Sequence, residues 1–427
     1  MARLVFLGGV DADGTSFRPR WNAEPVMSIT LNPASHTPIS ANSLARTADD
    51  PFIAAERLAA QFRERAMESE QLRTMPADLV AQVRAAGLFT LALPRALGGL
   101  ELDPMTILSI LELLSYADAS SGWTTMIGNS TSFLAWLDPA VAADFVADRV
   151  PTMGSVFGPT GRAVPRVDGA YDVTGRWTFS SGSPHTEWFL DGVFVIDGPA
   201  PRMIDGKPDW RFALFSAADT EVIDTWDALG LRGTGSHDVR IVHPIRVPEE
   251  HMVLPFDIPA RHDGPLYRYP FWGLLRILMA GLPLGIAQRA LDEFATLAPN
   301  KRRPSNMAIT IAEDPNVQIE FARAETALRC AKAMLSDSLC ASWDTACNGD
   351  VPSDTQLAST HVAMLETVRA ATAATDFALR AAGAGAVYNH QPIQRCFRDV
   401  HTLSQHIAYN DQGLNNYSRT RFALDHH

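Results

Sequence analysis

The sequence predicts a mainly α-helical protein with a β domain in the middle of the chain. Apolar residues recur at helical spacing from about residue 50 to 145, and again from about residue 271 to the end. Between these regions, from about 151 to 255, alternating or β-branched runs are punctuated by Gly, Pro and Asp. We therefore expect an N-terminal helical domain, a middle β-barrel or sandwich, and a C-terminal four-helix bundle.

These changes of pattern also set the predicted domain boundaries. We place a leader at 1–46, the N-terminal helical domain at 47–150, the β domain at 151–265 and the bundle at 266–427. The leader is rich in Pro, Ser, Thr, Asn and Asp and lacks periodicity, so we expect a loose segment without an assigned function. Strands are predicted at 171–179, 188–196, 212–215 and 239–247, and the helices of the bundle at 274–297, 315–347, 354–382 and 393–410.

Composition excludes several classes of function. The net charge is -12, from 36 basic and 48 acidic residues, which predicts binding neither to nucleic acid nor to an anionic membrane. The most apolar stretch, 271–287, carries Arg276 with several glycines and a proline and is too interrupted to span a bilayer. The chain starts without a secretory signal, so a cytoplasmic protein is expected. The four cysteines contain no CxxC pair, which favours buried thiols in a reducing compartment and gives no metal site.

The string QRCFRDVHTLSQHIAYN gathers two cations, a carboxylate and two imidazoles into what reads as a few helical turns. Burying such a cluster is costly, which indicates a functional site. On a helix, His401 and His406 would diverge by roughly 140°, so one of them should point into the site. Arg398 and His401, like Arg395 and Asp399, would share a face and could pair within the helix.

Five strings, in chain order, resemble the acyl-CoA dehydrogenase superfamily. They are LPRALGGLELDP (93–104), GRWTFSSG (175–182), ALGLRGTGSHDVRIVHPIRVPEE (228–250), GLPLGIAQRALDEF (281–294) and RCFRDVH (395–401). Such strings are specific only in combination and in this order. The resemblance implies a flavin held between the β domain and the bundle, and a homotetramer in which a neighbouring chain completes each site.

The same resemblance assigns residues to the flavin ring. Ser180 or Ser181 should place a hydroxyl and a backbone N–H against the N5/O4 edge, where donors stabilise reduced or adduct forms. The other reading of Ser-Ser-Gly is a simple strand end with turn chemistry. Phe157 and Gly158 match the strand that the family places under the flavin.

Trp177 and Phe179 alternate along one strand, so we expect both to face the core. His237 stands among loop residues and is predicted at the surface.

Three residues are candidates for the phosphate end of the cofactor. Gly383 and Gly385 could let the backbone approach a flavin phosphate from the neighbouring subunit, or could serve close helix packing. Arg303 resembles the arginine that the family places on the flavin pyrophosphate, but the phenylalanine-glycine that usually follows is missing. FMN and FAD therefore both remain open.

The catalytic base of the dehydrogenases is missing from its usual place. No glutamate occurs from Arg395 to the end of the chain, although some branches carry the base on an earlier helix. The pattern R-D-V-H-x-x-x-Q-H instead resembles the flavin-dependent monooxygenase branch. There, a separate reductase supplies reduced flavin by diffusion, the flavin reacts with O2 to a C4a-hydroperoxide, and one oxygen atom passes to an aromatic substrate. By position, His406 would hydrogen-bond the hydroperoxide or the substrate, and His401 would be a surface or interface partner of Arg398 and Asp399. The alternative for His406 is a buried histidine at a subunit interface.

Relatives in that branch often carry a second histidine after a tryptophan in the N-terminal domain. Here SSGWTTMIGNSTSF supplies Trp123 and then hydroxyl and amide groups, including Ser130, without a histidine. Ser130 could bind a phenol but is a poor base at neutral pH. Trp123 and Phe133 are candidate walls of the substrate pocket, with ordinary core packing as the alternative.

We predict the oxygenase component of a two-component flavin-dependent monooxygenase that uses reduced FMN or FAD and O2 on an aromatic or electron-rich small molecule. Two alternatives stay open: an FAD-dependent acyl-CoA dehydrogenase-like desaturase with its base elsewhere, and a non-catalytic tetrameric member of the family.

Overall fold

The computed structural model describes residues 50–254, 258–304 and 306–422, so the predicted leader lies outside the described residues. Several helices begin at an Asp-Pro pair. In α3, for example, the Asp103 side chain accepts hydrogen bonds from the amides of Met105 and Thr106, while Pro104 opens the helix where no donor is needed. The helices before the sheet are α1 (Pro51–Leu72), α2 (Ala77–Ala85), α3 (Pro104–Ala117), α4 (Ala119–Gly128) and α5 (Pro139–Val146).

A mixed sheet forms the middle of the chain. The strands are β1 (Met153–Pro165), β2 (Tyr171–Ser180), β3 (Trp188–Asp197), β4 (Ala200–Pro201), β5 (Met203–Ile204), β6 (Lys207–Pro208), β7 (Trp210–Ser216), β8 (Glu221–Ile223), β9 (His237–Val247) and β10 (Met252–Val253), of which β5 and β6 form a separate hairpin. The order of the sheet is β10-β7-β3-β1-β2-β9-β8, with β4 paired to β3 at the side. β1 and β3 are parallel and the other pairs are antiparallel.

Two of the register shifts in this sheet lie beside candidate site residues. The pairing of β1 with β3 shifts between Val156 and Gly161, and that of β2 with β9 shifts between Trp177 and Ser180. Within the second shift Phe179 adopts a φ of 61°, in the left-handed region that bulky residues avoid. The prediction that Trp177 and Phe179 face one side is therefore wrong. Trp177 is fully buried in the core of the sheet, whereas the bulge turns Phe179 outward and leaves it 70% exposed.

Helices return after the sheet, and the fold class predicted from the sequence is confirmed. The predicted segments 315–347 and 354–382 are single helices, whereas 274–297 is divided into two. The elements are α6 (Phe271–Met279), α7 (Leu282–Leu297), β11 (Arg302–Arg303), β12 (Asn306–Thr310), α8 (Pro315–Cys347), α9 (Asp354–Ala382), α10 (Pro392–Leu403) and α11 (Gln412–Arg421). The exact domain limits stay predictions.

Proline explains the division between α6 and α7. Pro283 lacks an N–H and cannot donate to the carbonyl of Met279, so the helix is interrupted there. That carbonyl instead accepts a hydrogen bond of 3.0 Å from the hydroxyl of Tyr409. The break in the bundle thus fixes the segment that follows α10.

The segment 271–300 is long and apolar enough by composition to cross a bilayer. However, 83% of its apolar window is buried inside the protein, as in the core helix of a bundle.

The prediction of buried thiols holds for Cys396 alone. Cys330, Cys340 and Cys347 are exposed in the single chain, because the buried stripe of α8 passes through other positions. That stripe comprises Val317, Leu328, Ala331, Leu335, Leu339, Ser342 and Ala346.

Candidate active site

His406 lies beyond the end of α10 and not on it. The helix ends at Leu403, and His406 caps the short turn Ile407–Tyr409, where its Nδ1 accepts the amide N–H of Ala408 at 3.2 Å. The expected helical angle between His401 and His406 is therefore wrong, because the two residues do not share a helix.

The His406 ring is held between the N-terminal domain and the bundle. Its ring centroid lies 5.3 Å from that of Trp123, edge to face, and Tyr409 anchors the same turn to α6 through Met279. Burial lowers the pKa of His406 to about 4, so the ring is neutral at physiological pH. Since Nδ1 accepts a hydrogen bond, the neutral ring carries its proton on Nε2 and acts there as a donor.

Trp123 begins a chain of buried hydroxyl groups. Its indole N–H donates to Ser181 Oγ at 2.9 Å, and Ser181 and Ser236 are joined at 2.7 Å. Ser236 and Thr234 are joined at 2.6 Å, and Thr234 donates to the carbonyl of Leu231 at 2.8 Å. Because both ends are fixed, each hydroxyl must donate away from Trp123. The Ser181 hydroxyl is thus committed inside the protein.

Ser180 differs from its neighbour. It is fully buried, yet its Oγ has no hydrogen-bond partner among the described residues. A buried hydroxyl without a partner is costly, which makes Ser180 a candidate to donate to a bound group. Phe179 is exposed beside it, and a side chain added at Gly158 would meet no atom within 4 Å. A free donor, an exposed aromatic ring and an open strand position fit the edge and face of a flavin.

Phe133 lies in an aromatic cluster around Phe157 and Phe271. Phe133 is buried and packs against Phe157, with ring centroids 5.3 Å apart, and against Phe271 at 4.3 Å. Ser130 donates to the carbonyl of Ile127 and is 2.7 Å from Ser155 Oγ, so its proton is already in use. The structure therefore brings Phe133 and Phe157 into one aromatic cluster and places Ser130 inside the protein beside β1.

Sequence reasoning missed a buried carboxyl group under β1. Asp191 Oδ1 accepts the amide N–H of Val156 at 2.7 Å, at the start of the irregular stretch that contains Phe157 and Gly158. Burial raises the pKa of Asp191 well above its usual value, because the charged form loses its hydration there. An alternating strand pattern, LDGVF, gave no signal beyond a polar residue at a position that should face the core.

The candidates for the phosphate end meet at the C-terminal end of α9. Arg303 pairs with Asp314 at 3.1 Å and approaches the carbonyl of Ala381 at 3.5 Å. Lys301 Nζ donates to the carbonyl of Ala382 at 2.6 Å. Gly383 and Gly385 follow at once, both exposed, and Gly383 has a φ of 72°. These cations are therefore close to the glycines, with their charges partly satisfied by the chain itself.

The charges of α10 pair with other elements, contrary to the prediction of pairs within the helix. Arg395 and Arg398 lie 3.4 and 2.8 Å from the carboxylate of Glu70 on α1. Asp399 accepts the amide N–H of Leu231 at 2.7 Å, and burial raises its pKa to about 7. His401 pairs with Asp376 of α9 at 2.8 Å rather than with Arg398 or Asp399. Spacing along a helix does not show which neighbouring element will supply a partner.

His237 is buried, not at the surface as predicted. Its Nδ1 accepts the amide N–H groups of Thr225 and Trp226, each at 3.2 Å. It thereby fixes the loop before the hydroxyl chain.

Two family models match the chain. The N-terminal domain of acyl-CoA dehydrogenase matches residues 53–138 and the C-terminal domain of acyl-CoA dehydrogenase matches residues 277–411. The indole-3-acetate monooxygenase of Pseudomonas putida is 32% identical, over 82% of this chain and 87% of that protein. The flavin-dependent monooxygenase oxygenase subunit HsaA of Rhodococcus jostii is 31% identical, over 81% and 91%.

A solved structure of XiaF from a Streptomyces species, in complex with FADH2 and glycerol, superposes with a TM-score of 0.78 at 26% identity. The match covers 88% of this chain and 95% of that one. These matches establish that this chain belongs to the flavin-dependent monooxygenase branch of the acyl-CoA dehydrogenase family.

Proposed function

We propose that the chain is the oxygenase component of a two-component monooxygenase, which inserts one oxygen atom of O2 into an aromatic or similarly electron-rich small molecule. The observation that carries this proposal is the neutral imidazole of His406, which is a hydrogen-bond donor at Nε2. Its ring packs against Trp123, and the indole N–H of Trp123 donates to Ser181. A donor suits a reduced-oxygen species, whereas the dehydrogenase reaction needs a carboxylate base.

Reduced flavin would supply the two electrons of the reaction, in which one atom of O2 enters the substrate and the other leaves as water. The residues of this chain supply the surroundings. Ser180 has the free hydroxyl that can donate to the N5/O4 edge, and Phe179 offers an exposed ring to one face. Ser181 acts as a positioning residue, because its hydroxyl holds the indole against which His406 packs.

The tautomer of His406 limits the substrates. Because Nε2 already carries the proton, His406 can donate a hydrogen bond but has no free lone pair at that atom to deprotonate a phenol. Substrates activated without loss of a proton, such as an indole ring, suit this site. The Pseudomonas putida relative is named for such a compound, an indole that bears a carboxylic acid.

The cofactor arrives in the reduced state, as FAD or FMN, from a separate reductase. FADH2 is the form bound in the XiaF complex, which favours FAD. We further propose a cytoplasmic homotetramer in which Arg303, Gly383 and Gly385 of a neighbouring subunit reach the phosphate end. Their position at an exposed loop end, with cations beside it, supports this assignment.

A coupling measurement tests the function. The purified protein should be nearly colourless and should consume O2 only when reduced flavin is added; tightly bound yellow FAD with thioester-dependent reduction of an artificial acceptor would indicate the desaturase instead. With a panel of indoles and phenols, product and H2O2 are then counted per O2 consumed.

His406→Ala should shift the yield from product to H2O2 by at least about tenfold, because removal of one positioned donor at a reacting oxygen typically has effects of this size or larger. His401→Ala is the matched control, since His401 pairs with Asp376 on the bundle. Unchanged coupling in His406→Ala would remove His406 from the mechanism.

A further inference from the structure

His361 is a second buried imidazole of the bundle, and the proposed function does not yet use it. It lies on α9 and is 8% exposed. Burial, and to a smaller degree the nearby cation of Arg276, lower the pKa of His361 to about 4, so the ring is neutral at physiological pH. A neutral imidazole has one N–H donor and one bare nitrogen, and its partners decide which nitrogen holds the proton.

The partner of His361 lies in the turn that begins at His406. The Nε2 atom of His361 is 3.3 Å from the carbonyl oxygen of Ala408. A carbonyl oxygen only accepts, so His361 must hold its proton on Nε2 and donate it. The amide N–H of Ala408 in turn donates to His406 Nδ1 at 3.2 Å. One residue of the turn thus accepts a hydrogen bond from the first imidazole and donates a hydrogen bond to the second.

Both hydrogen bonds act on the backbone of the short turn Ile407–Tyr409. A residue has only two soft backbone dihedral angles, so a bond that fixes the Ala408 carbonyl also restrains the direction of the Ala408 N–H. The hydroxyl of Tyr409 donates to the carbonyl of Met279 and anchors the next residue through its side chain. His361 therefore provides the restraint on the residue that selects the tautomer of His406.

The ring of His361 is itself held by α11. A Cβ atom added at Gly413 would lie 2.6 Å from two atoms of this ring, which is closer than carbon atoms pack. Gly413 lies in the first turn of α11, where alanine would favour the helix more than glycine does. The close approach of the imidazole gives a physical reason for the glycine. It also leaves the ring little freedom to turn away from Ala408.

We propose that His361 is a positioning residue for the oxygenation reaction. It fixes Ala408, and Ala408 keeps His406 in the tautomer whose donor is Nε2. Without this support the turn would rotate, and part of the neutral His406 would carry its proton on Nδ1 and present a bare nitrogen where a donor is needed. The consequence for the reaction rests on the proposed function, whereas the pair of hydrogen bonds is a property of the protein alone.

The tautomer of His406 is measured first, by nitrogen NMR of the flavin-free protein with isotope-labelled histidine. The chemical shift of a ring nitrogen distinguishes a protonated from a bare atom, and the His406→Gln variant identifies the signals of His406. Wild type should carry the proton on Nε2 in both His361 and His406. His361→Phe, which keeps a ring and lacks a donor, should add a His406 signal with a protonated Nδ1.

The effect on the reaction is measured as product per O2 consumed, with reduced flavin and a substrate that wild type oxygenates. His361→Phe should lower this yield by about threefold to tenfold, less than His406→Ala does, because the donor is misplaced and not removed. The KM for the substrate should change by less than about twofold, since His361 does not touch the substrate. His361→Gln, which has an amide donor, should restore both the yield and the wild-type tautomer.

A second variant changes neither imidazole. The methyl group of Gly413→Ala would occupy the space of the His361 ring, so this variant should show the same change of tautomer and yield as His361→Phe. Thr367→Val is the matched control, because it removes a buried hydrogen bond on the same helix, from Thr367 to the carbonyl of Met364. The control should lose stability and keep the wild-type tautomer and yield.

Four results would overturn the proposal. The first needs no variant: a wild-type His361 with its proton on Nδ1 could not donate to Ala408. The second is an unchanged tautomer of His406 in His361→Phe, and the third is a changed tautomer with an unchanged yield. The fourth is a yield that falls with stability in Thr367→Val as it does in His361→Phe. A wild type that consumes no O2 with reduced flavin would instead refute the proposed function, and the tautomer measurement would still decide whether His361 positions His406.

Discussion

The two ends of the proposed flavin site are prepared to different degrees. At the ring end, the Ser181 chain is closed from Trp123 to Leu231, and the Ser180 hydroxyl is left over as a buried donor. At the phosphate end, Lys301 and Arg303 already bind carbonyl groups of the same chain. Under the proposed assignment, the donors at the ring end are therefore in place in the folded monomer, whereas Lys301 and Arg303 would exchange internal contacts for contacts with a phosphate.

The largest effect is expected on protein stability at low pH, and it should come from His406 at the ring end. The unfolded chain protonates a histidine below about pH 6.5, but folded His406 does so only below about 4. The unfolded state thus binds more protons between these values, and stability is lost as the pH falls from 6.5 to 4, by about 1 kcal/mol per pH unit.

His406→Gln should make this slope shallower in chemical denaturation series measured between pH 4 and 7, while His185 and His361, whose pKa values burial also lowers to about 4, keep contributing to it. Arg303→Gln, at the phosphate end, should leave it unchanged. An equally steep slope in His406→Gln would show that the folded ring titrates normally.

Substitution of one serine should lower stability, and substitution of its neighbour should lower coupling. Ser181→Ala leaves the buried Trp123 indole N–H without an acceptor and removes the hydrogen bond that Ser236 accepts, which should cost about 1–3 kcal/mol of unfolding free energy. Ser180→Ala removes an unpaired hydroxyl and should not destabilise the protein without flavin, yet it should lower the yield of product per O2. Denaturation and coupling measurements on both variants check this, and equal destabilisation by the two would contradict it.

Substitution of Phe179, the strained residue of the ring end, should change stability in the opposite direction. Phe179→Gly relieves the positive φ of 61° and should raise the stability of the flavin-free protein by about 1 kcal/mol. The same change removes the exposed ring, so the affinity for reduced flavin should fall. A variant that gained stability and kept full flavin affinity would exclude Phe179 from the flavin site.

The smallest effect is expected at the phosphate end. Arg303 is already paired with Asp314 and is partly exposed, so Arg303→Gln should change stability by less than about 1 kcal/mol. The substitution should weaken the binding of reduced FAD by a few-fold. The binding of riboflavin, which lacks phosphate, should be unaffected. Loss of riboflavin binding would show that Arg303 acts on the ring end instead.

Periodicity predicted the order of the domains and two long helices, because their apolar faces repeat over many turns. It failed where one residue decides the outcome. The bulge at Phe179 depends on a shift between β2 and β9, and the end of α10 at Leu403 depends on how the next turn docks onto α6.

The prediction of site residues succeeded and failed for the same reasons. The motifs led to Ser180, Ser181 and His406, but spacing could not show that one serine is committed and the other free.

The direction of the hydroxyl chain has a consequence for proton traffic. Each O–H points from Trp123 toward the carbonyl of Leu231, an acceptor that has no hydrogen of its own to pass on. The row of hydroxyl groups therefore cannot conduct a proton onward, and its role is to hold Trp123 in position. Protons exchanged during turnover would therefore leave by another route than this row of hydroxyls.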